Sequence, residues 1–346
     1  MDGAGEVFAA YLARNLRRIE ACVLERCPQA PQASRQKAAL DQYLYDPVRR
    51  FVASGGKRIR PALCLLGAEA VGACSDVALP AAAAVELFQA AALIHDDIAD
   101  RSELRRGVPC LHITEGVGLA INAGDSALVS VVSTVLRDPA LDPSTRMRLL
   151  EELCTMEERT LDGQALDLGW ARDARWDISV DDYLQMARAK TAFYSAAIPL
   201  AMGAICGSGS SEQIDGLRRF GMDCGLAFQI QDDLLNLIGN PNEQGKDYRS
   251  DITEGKRTLV MVWALAHLDA AGRDELVSIL SSATHDAREL NRAVGLAAEA
   301  GAIDHAKTFA QGLVERAQSD LDHMPIAEDS RGVLRSMADY FVKRIN

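Results

Sequence analysis

Aromatic residues are scarce in this chain: eight Phe, seven Tyr and three Trp make up 5% of its 346 residues. A pocket that stabilises carbocations with a lining of rings has little material here. Basic residues are in deficit, 37 Lys and Arg against 49 Asp and Glu, for a net charge of −12. That excludes a generalised nucleic-acid binder, which would be basic. None of the eight cysteines (Cys22, Cys27, Cys64, Cys74, Cys110, Cys154, Cys206 and Cys224) belongs to a CxxC pair. Cys22 and Cys27 have no further Cys or His at zinc-site spacing, so all eight read as reduced, buried or incidental thiols. No apolar run is unbroken for the ~18 residues of a membrane span, because Glu86 and Gln89 interrupt the stretch from Leu79 to Leu93. Stable membrane insertion is therefore not expected. Met1 to Arg18 carries Asp2, Glu6 and several arginines around a short apolar patch, a poor secretory signal, and a cytoplasmic location is the expectation.

Strand-type alternation is also nearly missing, as are Gly/Ser-rich or Pro-rich linkers and fixed-period repeats. What remains is 48% hydrophobic and 25% charged, ordinary globular composition, with Ala, Leu, Glu, Arg and Gln recurring at helical spacing. Helices are predicted over 5–26, 34–53, 58–72, 78–103, 113–136, 143–168, 180–205, 211–238, 256–269, 272–281, 286–301, 303–321 and 329–344. Asp142 before Pro143 reads as an N-cap, Ser179 as the cap of a later helix, and Thr284 as a further candidate. One all-α domain over residues 1–346 is the economical reading.

"HDDIAD" places Asp96 and Asp100 at i and i+4, and Asp97 and Asp100 at i and i+3, so the carboxylates are expected on one face. Like charges so placed repel, and an acidic helix end is most often simply hydrated. A second cluster changes that reading. "FQIQDDLLN" puts Asp232 and Asp233 after a largely apolar stretch, with Asn236 following at i+4 from Asp232. Two acidic helix ends can face each other across one cavity, and hard divalent cations such as Mg²⁺ take carboxylate oxygens together with substrate phosphates. Cations are interleaved: Lys57 and Arg60 in "SGGKRIRP", Arg105 and Arg106, Lys190 in "AKT", then Lys246 and Lys256. Metals and Lys or Arg together hold phosphate oxygens, so an acidic protein can bind a polyanion.

In order along the chain stand "GGKRIRP", "HDDIAD…LRRG", "NAGDSAL", "DGQALDL", "KTAFY", "FQIQDDLLN" and "GKDYRSDITEGKRTL". This series resembles the trans-polyprenyl diphosphate synthases, which elongate isoprenoid chains head to tail. The resemblance implies an all-α bundle of the isoprenoid synthase type around a deep central cavity, and a homodimer. It implies that Asp96 and Asp100 ligate Mg²⁺ bridging an allylic diphosphate, with Asp97 supporting, and that Asp232 ligates from the opposite side with Asp233 beside it. Three Mg²⁺ ions with substrate bound are implied as the cofactor set. Lys57, Arg60, Arg106 and Gln89 would hold isopentenyl diphosphate; Arg105, Lys190, Thr191, Gln229, Lys246 and Lys256 would hold the allylic diphosphate. Asn236 departs from the family's usual third Asp. Asn keeps a carbonyl oxygen but loses a charge, and it reads as a support for the metal ligands rather than one of them.

The reaction so implied ionises an allylic diphosphate, and cations stabilise the charge developing on the leaving oxygens. No Ser/His/Asp constellation is needed; His95 and His112 read as structural, and "GGKRIRP" is not a Walker loop. Product geranylgeranyl diphosphate is the first expectation, with farnesyl or longer-chain products as alternatives. In the family, bulky aromatics at the positions of Ala91 and Ala92 close the tunnel early. Here both are Ala, and Phe88 one turn deeper is the expected floor. A terpene cyclase would carry more aromatics and a different second motif. A non-catalytic subunit of a heteromeric synthase would have lost one acidic cluster or its basic partners.

Overall fold

Apolar residues at helical spacing set the architecture, and the computed structural model of the protein describes residues 5–240 and 248–342. The helices are α1 (Glu6–Arg26), α2 (37–53), α3 (Ile59–Ala70), α4 (Leu79–Ala99), α5 (Val117–Leu136), α6 (Pro143–Arg172) and α7 (180–206). They continue as α8 (Ser211–Ile238), α9 (Leu259–His267), α10 (Ala270–Ser281), α11 (Ala287–Glu299), α12 (Ala302–Asp322) and α13 (Glu328–Val342). The all-α expectation holds. One hydrophobic core runs through them, and the Ala-rich α4 lies inside it between α3 and α5. Small side chains suit such a central helix, because neighbours on every side can approach closely.

The helix starts follow the expected chemistry. Asp142 accepts the N–H groups of Ser144 (2.9 Å) and Thr145 (3.1 Å), and Ser179 forms a capping box with Asp182. Thr284 is not a cap: Asp286 caps α11, while the Thr284 hydroxyl accepts the Asp286 N–H at 3.0 Å.

Three departures bear on the cavity. The helix predicted to reach residue 103 stops at Ala99, and a small antiparallel hairpin follows, pairing Leu104 with Pro109 and Arg105 with Val108. Arg106 and Gly107 both have positive φ (54° and 79°), the sign pattern of a type I′ turn. The second departure is in α7, where the segment Arg188–Ala197 is π-helical. Its wider turns are common at functional sites, and it carries Lys190, Thr191 and Tyr194. Gly163 of α6 makes room for it: a Cβ there would stand 2.3 Å from the Lys190 nitrogen.

The third concerns length and hydropathy. Ser75–Ala99, Val117–Leu136 and Val180–Cys206 are long and apolar enough to cross a membrane by length and composition alone. Counting uninterrupted runs missed this, since one or two polar residues break a run without lowering its mean hydropathy much. In the first and third, 78% of the apolar window is buried inside the protein, against 39% for α5. α5 therefore keeps an apolar outer face, with Val117, Ile121, Val129, Val132 and Leu136 exposed and Asp125 as its one ionisable residue.

Gly163→Ala is expected to lower the thermal unfolding midpoint, with the roughly 1–3 kcal/mol cost typical of overpacking. Circular dichroism melts check this; an unchanged midpoint would contradict the close α6–α7 approach.

Candidate active site

At the end of α4 a single turn sends three carboxylates in different directions. Asp96 faces a cavity of about 670 Å³ and accepts a hydrogen bond from Gln164 Nε2 of α6 at 2.9 Å. Asp97, one residue and ~100° further round the helix, is buried and accepts Arg105 Nε at 2.9 Å. The expectation of one shared face thus fails for Asp97, which anchors the hairpin arginine. Asp100 lies 3.8 Å from Lys256 Nζ.

α8 forms the opposite wall, from which Phe228, Gln229 and Asp232 line the same cavity. Asp233 turns away into a small adjoining cavity of about 90 Å³. There it accepts the Tyr183 hydroxyl at 2.9 Å and Gln229 Nε2 at 2.7 Å. Burial pushes the carboxyls of Asp233 and Asp251 up, and each carboxylate's negative neighbours add to the effect. Asn236 is committed elsewhere: its amide donates to Ser250 Oγ at 3.1 Å, and its oxygen accepts the Asp251 N–H at 3.3 Å. An Asp in its place would add another negative charge beside Asp251.

Cations are set against these acids. Lys190 forms an ion pair with Asp167, and Lys256 lies 2.6 Å from Glu254 and 3.4 Å from Asp251. Burial pulls the Lys190 ammonium down, but Asp167 and Asp96 outweigh it and the net direction is up. Burial pushes Asp96 up and Asp100 adds to it, while Lys190, Lys256 and Arg105 oppose. Arg60, Arg105 and Arg106 stand in the wall, and Arg60 donates to Ser195 Oγ at 2.7 Å and to the Tyr194 hydroxyl at 3.1 Å.

Of the expected residues, the cavity brings together Arg60, Phe88, Gln89, Ala92, Asp96, Arg105, Arg106, Lys190, Thr191, Gln229 and Asp232. Lys256 lines only the small cavity, and exposed Lys57 lies over the Tyr340 ring at 5.5 Å. Ala91 is fully buried and faces away; one step of helix puts Ala92 in the wall instead. Lys246 lies outside the described residues. Sequence reasoning assigned no role to Gln164, Asp167, Tyr183, Tyr194 or Asp251. Gln164 and Asp167 share a face of α6 at i and i+3, which was the available signal.

A family profile described as "Polyprenyl synthetase" matches residues 41–297. The chain belongs to the polyprenyl synthetase family. It is a trans-prenyltransferase that elongates isoprenyl diphosphates. A short chain isoprenyl diphosphate synthase of Methanothermobacter thermautotrophicus is 38% identical over 85% of this chain and 88% of its own. The crystal structure of a geranylgeranyl pyrophosphate synthetase from Pyrococcus horikoshii superposes with a TM-score of 0.87 at 30% identity, covering 98% of both chains. A Corynebacterium glutamicum geranylgeranyl pyrophosphate synthase, solved with isoprenyl diphosphate and magnesium, gives 0.83 at 31% identity and 99% coverage of both.

For a prenyltransferase, the Gln164 amide on Asp96 orients a carboxylate in the wall of the cavity. Gln164→Leu is expected to reduce turnover about 10–100-fold, the loss usual when a group orienting a ligand is removed, with an unchanged melting midpoint. Full activity in steady-state assays would show that Asp96 is oriented without it.

Proposed function

We propose that this polyprenyl synthetase makes geranylgeranyl diphosphate from isopentenyl diphosphate and shorter allylic diphosphates. The observation that carries the reading is one cavity with acids on two facing walls, cations around them, and an apolar part lined by Phe88, Tyr194 and Phe228. Asp96, Asp100 and Asp232 offer only oxygen donors, the set Mg²⁺ favours. Among the described residues no three acidic, His or Cys side chains converge closely enough to hold an ion alone. Phosphate oxygens would complete the coordination, with three ions once substrate is bound. When present, Mg²⁺ supplies charge stabilisation to the departing diphosphate.

The chain's own groups do the rest. Lys190, Thr191, Gln229 and Arg105 line the wall that would hold the allylic diphosphate, with Lys256 beyond it in the small cavity. Lys190 arrives already oriented by Asp167, so little reorganisation accompanies charge development on the leaving oxygens. Arg60, Arg106 and Gln89 would hold isopentenyl diphosphate; Lys57, which lies over the Tyr340 ring, would have to turn from it to join them. No side chain is assigned as base. The released diphosphate accepts the proton lost as the new double bond forms.

Product length follows from the apolar end. Ala92 leaves the wall open one turn before Asp96. Phe88 lies eight residues before Asp96, ~12 Å along the axis at ~1.5 Å per residue. It packs edge-on against Tyr194 at 5.5 Å. One side of the cavity is formed by Leu128, Leu161 and Leu168, of which Leu161 is 67% exposed. These residues adjoin the apolar outer face of α5, and we assign that face to a second copy of the chain in a homodimer.

Purified protein given dimethylallyl diphosphate, isopentenyl diphosphate and Mg²⁺ is expected to release geranylgeranyl diphosphate, sized by chromatography. Ala92→Phe should shorten the product and Phe88→Ala should lengthen it. A cyclic hydrocarbon, or no turnover, would refute the function; unchanged products from both variants would refute the placement of the floor.

A further inference from the structure

Arg58 stands between Lys57 and Arg60 yet never reaches the cavity. Its backbone is left-handed (φ 49°), a conformation L-residues adopt at a cost, and its side chain is 3% exposed. One guanidinium nitrogen pairs with the buried Glu86 carboxylate, and another donates to the Val52 carbonyl. Its Nε, 3.8 Å from Glu20, has no hydrogen-bond partner. A buried charge needs such a partner to be tolerated, so the turn and the ion pair hold each other in place.

Glu86 belongs to α4, three residues before Gln89 and ten before Asp96. Its carboxylate also acts on Arg106. Burial draws the Arg106 guanidinium down, Glu86 opposes this, and Arg58, Arg105 and Arg60 add to the lowering. Arg106 lies against Gly56, where a Cβ would stand 3.3 Å from its guanidinium carbon. Glu86 thus bears on Arg58 through a direct ion pair and on Arg106 through its charge.

We propose that Arg58 and Glu86 are positioning residues for isopentenyl diphosphate. Their pair fixes the turn that sets Lys57 and Arg60 at the start of α3, and with it the Gly56 backbone against which Arg106 lies. Neither residue touches substrate. The inference rests on the reading of this wall as the isopentenyl diphosphate subsite.

Steady-state kinetics of three variants test it. Glu86→Gln keeps the shape and an acceptor oxygen but removes the charge. The double variant Arg58→Met with Glu86→Met replaces the pair by apolar side chains of similar length, a change that buried ion pairs commonly tolerate without loss of stability. Arg60→Ala serves as the reference for the subsite. The expected result is a rise of about tenfold or more in KM for isopentenyl diphosphate in both pair variants. KM for the allylic substrate should stay within about twofold, with the melting midpoint of the double variant near that of the parent. If Arg60→Ala raises KM for isopentenyl diphosphate and the pair variants do not, the positioning role is overturned while the subsite stands. Equal rises in both KM values also overturn it. If Arg60→Ala leaves that KM unchanged, the subsite reading and the proposal fall together.

Discussion

Asp96 faces the cavity with most of its surface removed from water, and burial together with Asp100 pushes its carboxyl upward. Burying a carboxylate is tolerated only where opposite charge or hydrogen bonds meet it, and the surrounding structure answers that requirement. Lys190 comes from the π-helical segment of α7, Lys256 from the segment before α9, Arg105 from the hairpin and the Gln164 amide from α6. Each cation is itself tied to a second acid: Lys190 to Asp167, Lys256 to Asp251 and Glu254, Arg105 to Asp97. The result is a cavity whose charges are arranged before any ligand is present, the condition under which electrostatics contributes most to a reaction that separates charge.

The same helix joins this polar mouth to the apolar end. α4 presents Asp96, Ala92 and Phe88 to the cavity at one-turn intervals, while its Ala-rich remainder lies in the core. Tyr194 links the two regions from the other side: its ring meets Phe88, and its face and hydroxyl meet Arg60. A change at the apolar end is therefore felt at the cation that would bind isopentenyl diphosphate. In the proposed reading, product length and substrate affinity share this wall.

The helices, the caps at Asp142 and Ser179, and the pairing of acids with bases could all be read from spacing. Periodicity and capping are local properties, and both depend on a few neighbouring residues. The turning of Asp97 towards Arg105 could not be read, because the hairpin that places Arg105 depends on two positive-φ residues after an apparently continuous helix. Nor could the π-helical segment, whose composition is ordinary and whose register is set by packing on Gly163. Ala91 and Ala92 are indistinguishable in sequence, and only the rotation of α4 against its neighbours separates wall from core. The hydrogen bonds of Asn236 to Ser250 and Asp251 could not be read either, since they join residues 14 and 15 positions apart across a turn.

The central claim is that acids on two walls act on one bound diphosphate. Calorimetric binding of a non-ionisable allylic thiodiphosphate in Mg²⁺ to the parent protein, Asp96→Asn, Asp232→Asn and the double variant tests it as a cycle. Groups that share a ligand are non-additive. The account predicts that each single variant loses most of the binding, and that the double variant loses little more than either. Losses that simply add would mean the two carboxylates act on separate ligands, and would contradict the single shared site.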